Sequence, residues 1–277
     1  MKSHKNKKYT IADYADRHEL YELSVQNAES EIDFVDKTYK KITGRKATIL
    51  REDFCGTANV CCEWVDRRKN NLAIGVDLDT EVLEWSKKHK VGKLPKKQRE
   101  RISLIEANVL DVKTQPVDIV SAMNFSYWLL KDPLLLKSYF KSVYRSLADE
   151  GIFFLDAYGG YDAFREIEED RDVEADEYNF IYTWEQENFD PITNELQCSI
   201  HFTFEDGSSL QRAFYYEWRL WTLPEIKQLL TEAGFRKVTF YWQDFDEDGE
   251  EDGDFQPVKA GEVDADAGWI CYITAEK

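Results

Sequence analysis

The chain has 277 residues and a formal net charge of −18 at pH 7, with 43% hydrophobic and 32% charged residues. This length can bury a large core in one domain, or in one domain that carries an insertion. A surface this acidic repels phosphate backbones, so we expect no nucleic-acid partner. No stretch approaches the roughly 20 continuous apolar residues of a membrane-spanning helix, and we expect no membrane association.

The cysteines and the basic N-terminus indicate the compartment. The five cysteines form no C-x-x-C pair, which favours neither a metal site nor a disulfide framework and is typical of a reducing cytoplasm. Lysines are frequent in residues 1–8, but no apolar run follows them, so they do not form a secretory signal. We therefore predict a cytoplasmic protein without a bound metal ion.

The first third of the chain predicts helices, then a strand, a glycine turn and a helix. Residues 1–10 read as a mobile tail, and apolar residues recur at helical spacing over residues 11–42. Residues 46–53 are predicted as a strand and residues 57–68 as a helix, with Gly56 in the tight turn between them and Thr57 as the helix cap. A helix that begins there directs backbone N–H groups and a positive dipole end at the strand tip.

A carboxylate follows the next predicted strand. Residues 72–77 form a buried strand that ends in Asp77, 21 residues after Gly56. At about this separation a βαβ unit places an acid against ribose hydroxyls. Phe54 and Ala58 occupy the outer glycine positions of the dinucleotide fingerprint, and a bulky Phe54 leaves poor access for a pyrophosphate. The turn therefore favours a nucleoside-type ligand without phosphates.

Helices and strands continue to alternate up to residue 160. We predict helices over 80–90 and 132–147, and strands over 102–106, 117–124 and 152–157. Ligands of open α/β sheets collect at the carboxyl ends of the strands. Asn124, Phe125 and the aromatic residues after them, together with Tyr158, stand at such ends.

The pattern changes after residue 160. Residues 161–176 are highly charged and predicted to be helical or irregular, whereas residues 178–220 alternate with period two and predict a three-stranded antiparallel insert. A capping box at 222–225 starts a helix that ends at Gly234. Strands are predicted over 237–242 and 269–274, and the acidic segment 244–254 between them is predicted as a flexible, solvated loop.

The sequence resembles the class I S-adenosylmethionine-dependent methyltransferases, and in particular their small-molecule members. The resemblance lies in the turn E-D-F-C-G-T-A, which follows the first strand, and in the later segment G-V-D-L-D. In that family the turn is an acid, any residue, and three glycines at alternate positions; here Glu52 is the acid and Gly56 the central glycine. The resemblance implies an α/β fold with a Rossmann-like seven-stranded sheet, a final antiparallel hairpin and an inserted antiparallel β-roof. It also implies N-terminal helices over the active site (1–45), a cofactor-binding core (46–160), a substrate roof (161–220) and a C-terminal completion of the core (221–277).

The resemblance also implies roles for individual residues. The turn would hold the methionine end of S-adenosyl-L-methionine, and Asp77 would bind its ribose. Asn108 and Val109 would contact the adenine. Asn124 and Phe125 would line the region of methyl transfer. The full set of expected cofactor contacts is Glu52, Phe54, Cys55, Gly56, Thr57, Asp77, Leu78, Asn108, Val109, Asn124 and Phe125. The expected substrate contacts are Tyr21, Tyr127, Trp128, Tyr158, Trp184, His201 and Arg219. Two alternatives stay open here: Asn108 as an ordinary turn residue, and the aromatic side chains as packing residues, with a structural role favoured for His201 between Ile200 and Phe202.

The implied activity is transfer of a methyl group from S-adenosylmethionine to a small-molecule acceptor by in-line displacement, with S-adenosyl-L-homocysteine as product. Because alignment can supply much of the rate enhancement, the lack of an obvious catalytic triad is expected. An alternative is a regulatory protein that binds the cofactor without catalysis. A nucleotide-dependent oxidoreductase is disfavoured by Phe54 and by the terminal hairpin. In the family, inserts at this position roof the substrate pocket or form a dimer contact, so a homodimer is a further expectation.

Overall fold

The computed structural model describes residues 9–245 and 251–277. The chain divides into two compact units. The core unit consists of Asn27–Ala163 and Arg219–Lys277, and the insert unit consists of Met1–Gln26 and Phe164–Trp218. Most of the predicted N-terminal tail and part of the predicted acidic loop lie outside the described residues.

The helices and strands are numbered in chain order. The helices are α1 (Arg17–Ser24), α2 (Ala28–Thr43), α3 (Asn59–Arg67), α4 (Thr80–His89), α5 (Lys96–Arg99), α6 (Pro133–Ser146) and α7 (Leu223–Ala233). The strands are β1 (Ile49–Asp53), β2 (Leu72–Asp77), β3 (Ile102–Glu106), β4 (Val117–Ala122), β5 (Leu147–Gly159), β6 (Ile167–Val173), β7 (Phe180–Asp190), β8 (Glu195–Phe204), β9 (Ser209–Arg219), β10 (Lys237–Phe245), β11 (Glu251–Val258) and β12 (Trp269–Glu276). Among the described residues no helix is long and apolar enough to cross a bilayer.

The core sheet has the order β11-β10-β12-β5-β4-β1-β2-β3. Strands β1 to β5 are parallel to their neighbours in this group, whereas β12 pairs antiparallel with both β5 and β10. This topology confirms the predicted Rossmann-like sheet with an antiparallel end. The sheet has one strand more than expected, because β11 pairs with β10 at the edge; its residues 251–254 belong to the segment that was predicted as a loop.

The core of this unit is built from helices that bury an apolar stripe against the sheet. On α2 the stripe includes Ile32, Val35 and Tyr39, which pack with Leu50 of β1 and Trp64 of α3. Fully burying a large apolar side chain contributes about 1.5–3 kcal/mol. Asn27 caps the start of α2 by accepting the Ser30 N–H, and Gly44 ends the helix in the left-handed conformation.

The predicted capping box at the start of α7 is confirmed. The Thr222 hydroxyl accepts the Glu225 N–H, and the Glu225 carboxylate accepts the Thr222 N–H. Gly234 follows the helix with a φ of 117°. The sequence signals therefore placed both ends of this helix.

The insert unit contains a four-stranded antiparallel sheet in the order β6-β7-β8-β9. Its core groups Phe180, Phe202 and Phe204 with Ile11 and Leu20 from the N-terminal segment. Strand β6 was missed, since residues 161–176 were predicted as helical or irregular. The reason is that β6 pairs with β7 alone and is mostly exposed, so its charged residues carry no alternating apolar pattern.

Candidate ligand-binding site at the carboxyl edge of the core sheet

The turn between β1 and α3 has three residues in the left-handed backbone region. Phe54, Gly56 and Ala58 have φ angles of 57°, 50° and 60°. For a residue with a side chain the left-handed conformation costs about 1–2 kcal/mol. The chain accepts this cost at Phe54 and Ala58, the two outer positions of the turn.

The helix after the turn begins two residues later than predicted, and Thr57 does not cap it. The residue at the cap position is Ala58, which has no capping side chain. The carboxylate of Glu52 instead accepts the Cys61 N–H at 3.1 Å. The buried hydroxyl of Thr57 has no hydrogen-bond partner among the described residues, so this hydroxyl is available to a ligand.

Asp77, at the carboxyl end of β2, is held against the turn. One carboxylate oxygen accepts the Gly56 N–H at 2.8 Å, and the other accepts the Asp79 N–H at 2.9 Å. The next side chain, Leu78, is 67% exposed. The structure therefore brings the predicted ribose acid to the predicted turn and leaves an apolar side chain open beside it.

The space beneath the turn depends on a glycine of β2. A Cβ atom at Gly75 would lie 2.9 Å from the Cys55 Sγ and 2.8 Å from a methyl carbon of Leu104. The backbone N–H of Cys55 also donates to the carbonyl of Val76 at 3.0 Å. The buried Cys55 side chain thus fits only because β2 has no side chain at this position.

The predicted adenine contacts lie in the turn after β3. The side-chain oxygen of Asn108 accepts the Leu110 N–H at 3.0 Å, which is an Asx turn. This contact supports the alternative that Asn108 is a turn residue, although a carbonyl oxygen has two lone pairs and can accept a second hydrogen bond. Val109 is buried.

The tip that follows β4 has an unusual backbone. Asn124 and Phe125 are consecutive left-handed residues, with φ angles of 55° and 56°. Their N–H groups donate to the two oxygens of one carboxylate, that of Asp156 on β5, at 2.7 Å and 2.9 Å. Two predicted site residues are therefore fixed by an aspartate that the sequence reasoning did not single out.

Three predicted aromatic residues meet beside this tip. The rings of Phe125 and Trp128 each lie 4.8 Å from the ring of Tyr158, and 5.5 Å from each other. Tyr127, by contrast, is fully buried, and its hydroxyl donates to the backbone carbonyl of Asp156 at 2.6 Å. The structure thus places Tyr127 in the core, and its substrate contact stays a prediction.

Three buried carboxyl groups lie at this edge of the sheet. Glu52 of β1 and Ser121 of β4 share a register position, and the Ser121 hydroxyl donates to Glu31 of α2 at 3.3 Å. Burial raises the pKa of Glu52 to about 8 and that of Asp156 to about 7. Burial, together with the charges of Glu52 and Asp156, raises the pKa of Glu31 well above its usual range. None of the three pairs with a lysine or arginine among the described residues, so a cationic ligand bound here would favour their ionised form.

Glu31 and Asp156 were missed, but the sequence carried a signal for both. Glu31 shares the buried helical face of Ala28, Ile32 and Val35 on α2, and Asp156 lies within the buried part of β5. Charged side chains are almost never fully buried unless they have a specific partner or task.

A buried ion pair lies on the opposite face of β1. Arg51 is 0% exposed and Asp53 is 2% exposed. The Arg51 Nε and Nη2 atoms each lie 2.9 Å from an oxygen of Asp53. The hydroxyl of Tyr139 on α6 donates to the same carboxylate at 2.9 Å, and its ring lies edge-on to Phe54. This pair anchors the strand from which the turn departs.

One further predicted substrate residue of the core unit has a structural role. Arg219 donates to the Lys131 carbonyl and to the carboxylate of Glu225, which is part of the capping box of α7. Its guanidinium also lies 3.9 Å from the centre of the Trp221 ring.

The remaining predicted substrate residues belong to the insert unit. Nδ1 of His201 accepts the Arg212 N–H at 3.1 Å, which leaves Nε2 as the donor to Glu185 at 2.9 Å. This pairing supports the structural role that was favoured for His201. The Tyr21 ring lies 4.9 Å from the ring of Phe214, and the Trp184 ring lies 6.0 Å from that of Trp218. These aromatic residues pack within the unit.

Comparison with known proteins identifies the fold. Residues 53–155 match the family model of the methyltransferase domain, which spans the stretch from the end of β1 into β5. No curated protein sequence matches the chain. The part of the chain that the structure describes contains no group of three or more His, Cys, Asp or Glu side chains that could hold a metal ion.

Solved structures of similar fold include methyltransferases. DesVI of Streptomyces venezuelae has a TM-score of 0.70 at 15% identity, covering 95% of this chain and 98% of its own. CalS10, an amino pentose methyltransferase of Micromonospora echinaspora solved with its cofactor bound, has a TM-score of 0.67 at 12% identity, covering 99% and 100%. A methyltransferase of Clostridium acetobutylicum has a TM-score of 0.65 at 17% identity, covering 92% and 96%. Residues 53–155 therefore match the methyltransferase domain, and the chain has the class I S-adenosylmethionine-dependent methyltransferase fold.

Proposed function

We propose that the protein is an S-adenosylmethionine-dependent methyltransferase that acts on a small-molecule acceptor. The observation that carries the proposal is the turn after β1, where Phe54, Gly56 and Ala58 keep the left-handed path and Asp77 of β2 accepts the Gly56 N–H. A turn of this shape lets a ligand approach the backbone, and the acid beside it suits a ribose diol.

The residues present fit S-adenosylmethionine. The unpartnered hydroxyl of Thr57 can donate or accept a hydrogen bond, and the exposed side chain of Leu78 offers an apolar surface beside Asp77. The buried carboxyl groups of Glu31 and Glu52 complement a ligand that carries positive charge. We expect Glu52 and the turn to hold the amino-acid end, Asp77 the ribose, and the segment at Asn108 and Val109 the adenine.

When bound, S-adenosylmethionine supplies an electrophilic methyl group on a sulfonium, and we propose that its transfer is an in-line displacement. The protein then has to align the acceptor and exclude water; alignment contributes on the order of 7–11 kcal/mol. The rings of Phe125, Trp128 and Tyr158 supply an apolar, electron-rich wall for this purpose. Aromatic faces attract cationic methyl groups by about 0.5–2 kcal/mol.

The acceptor is proposed to be a small molecule. CalS10 is an amino pentose methyltransferase and KedS8 is a sugar N-methyltransferase, so amino sugars are the first class to screen.

The sequence also predicts that residues 1–45 and 161–220 cover the active site, that the protein forms a homodimer and that it is cytoplasmic. Those points stay predictions.

We expect the purified protein to bind S-adenosylmethionine and S-adenosylhomocysteine with micromolar dissociation constants (about −8 kcal/mol), and to show no binding of NAD. Isothermal titration calorimetry with the three ligands measures this. Absence of binding by both adenosyl ligands would overturn the proposed function. If the protein bound S-adenosylmethionine but methylated no amine or hydroxyl acceptor, the proposed ligand would stand and the proposed enzymatic role would be overturned.

We expect Asp77→Ala to weaken binding of S-adenosylhomocysteine roughly tenfold to a hundredfold, because the ribose diol loses a charged acceptor. The measurement is the same titration on the folded variant. An affinity close to that of the wild type would remove Asp77 from the ribose site.

The chain offers a matched control two residues away. Asp79 caps α4 by accepting the Glu81 and Val82 N–H groups, and no ligand contact is proposed for it. We expect Asp79→Ala to lower the free energy of unfolding by about 1 kcal/mol and to leave the affinity unchanged.

A further inference from the structure

We propose that Asp156 is a positioning residue: it holds the β4 tip, formed by Asn124 and Phe125, in the conformation that receives the cofactor. The inference rests on the proposed function and assigns a task to a residue that contacts no ligand itself. Its basis is the pair of hydrogen bonds from two consecutive backbone N–H groups to the two oxygens of one carboxylate, at 2.7 Å and 2.9 Å.

The backbone of the tip requires such a partner. Two adjacent residues with side chains in the left-handed region are costly, at about 1–2 kcal/mol each. Their N–H groups point to the same side and form a concave anion-binding site. Asp156 is 4% exposed, so its carboxylate fills this concavity from within the sheet and fixes both residues.

The hydrogen bonds of the tip determine which groups it can offer to a ligand. The carbonyls of Met123 and Phe125 already accept hydrogen bonds from Ser126 and Trp128. The side chain of Asn124 is half-buried. The ring of Phe125 is packed against Tyr158. With the backbone fixed from behind by Asp156, the Asn124 amide is the group left to hydrogen-bond a ligand.

The same chain contains a second aspartate that accepts two consecutive backbone N–H groups, through one oxygen and at the other end of the sheet, while its other oxygen pairs with Arg45. Asp118, near the start of β4, accepts the N–H groups of Thr48 and Ile49 at 2.7 Å and 3.0 Å. Because parallel strands bind ligands at their carboxyl ends, Asp118 can stabilise the fold but cannot shape the site. Comparing the two aspartates therefore separates positioning from general stabilisation.

Protonation of Asp156 would release the tip. The ionised carboxylate accepts hydrogen bonds from two N–H groups, whereas a neutral carboxyl group would present its own O–H to one of them. The titratable groups that face Asp156 are Glu31 of α2, Tyr127 of the segment after β4, and Cys271 and Tyr272 of β12. Of these, Glu31 is the one whose titration must be separated from that of Asp156. Burial raises the pKa of Asp156 to about 7, so the tip should loosen as the pH falls below neutrality.

The test uses S-adenosylhomocysteine as the probe with the full-length protein. We expect Asp156→Asn to weaken binding roughly tenfold to a hundredfold at pH 8, because the amide nitrogen of asparagine faces one of the two N–H donors. We expect Asp118→Asn to change the affinity by no more than about twofold, although this variant should be less stable than the wild type.

The affinity of the wild type should fall from pH 8 to pH 6. This pH dependence should persist in Glu31→Gln and disappear in Asp156→Asn.

The amide resonances of Asn124 and Phe125 provide a readout that needs no variant. In the wild type they should shift together with pH, with a midpoint near 7. An Asp156→Asn affinity equal to that of the wild type at pH 8 would overturn the positioning role and leave the proposed function intact. A wild type that binds no S-adenosylhomocysteine at any pH would overturn both.

Discussion

Arg51→Met is expected to lower the free energy of unfolding by about 3–5 kcal/mol, because it leaves the carboxylate of Asp53 buried without its cationic partner. The pair is closed from water on both sides: Arg51 is 0% exposed and Asp53 is 2% exposed. Urea denaturation of the wild type and the variant at pH 7 measures the loss.

Two comparisons make this test specific. The double variant Arg51→Met with Asp53→Leu removes both charges, and it should recover much of the lost stability. Lys237→Met breaks the exposed pair between Lys237 and Glu276, and it should cost no more than about 1 kcal/mol. A loss of the same small size for Arg51→Met would contradict the view that the Arg51–Asp53 pair anchors β1.

The second large effect is a decrease in stability as the pH rises from about 5 to 8. Glu31, Glu52 and Asp156 have higher pKa values in the folded protein than in the unfolded chain. Over this range the folded state therefore binds more protons, and the free energy of unfolding falls as the pH increases. One pKa unit corresponds to about 1.4 kcal/mol, so between pH 5 and pH 8 the shift of Glu52 can contribute up to about 3.5 kcal/mol and that of Asp156 up to about 2.5 kcal/mol. Denaturation of the ligand-free protein at several pH values measures the slope.

Variants assign this slope to particular groups. Glu52→Gln and Asp156→Asn each remove one titrating carboxyl group, and each should flatten the curve. Glu106→Gln changes an exposed carboxylate at the end of β3 and should leave the slope as it is. Stability that stays constant or rises between pH 5 and pH 8 would mean that the buried carboxyl groups are already compensated in the folded protein.

The fold was largely predictable because its signals are local. Apolar runs of strand length alternate with helical patterns, and the capping box of α7 is visible in four residues. The two missed strands have a common physical reason: β6 and β11 lie at sheet edges and are rich in acidic residues. An edge strand is held by backbone hydrogen bonds on one side, so its sequence need not show the apolar alternation that marks a buried strand.

The candidate site was predictable in part. The turn and Asp77 are close in sequence, and the structure brings them together. The contacts of Glu52 with Cys61 and of Asp156 with the β4 tip depend on how distant segments pack, which no spacing rule encodes. Thr57 was assigned the cap because its residue type is typical there, whereas Ala58 in the left-handed conformation delays the start of the helix and leaves that role to Glu52.

The contact between Gly75 and Cys55 has a consequence for how sequences of this kind diverge. A Cβ atom at Gly75 would lie 2.9 Å from the Cys55 Sγ, so the two positions share one volume although 20 residues separate them in the chain. A larger residue on β2 is compatible with the turn only if position 55 becomes smaller, and a larger residue at position 55 requires glycine at 75. We expect the two positions to co-vary among relatives, so the shape of the turn depends on two separate stretches of the sequence.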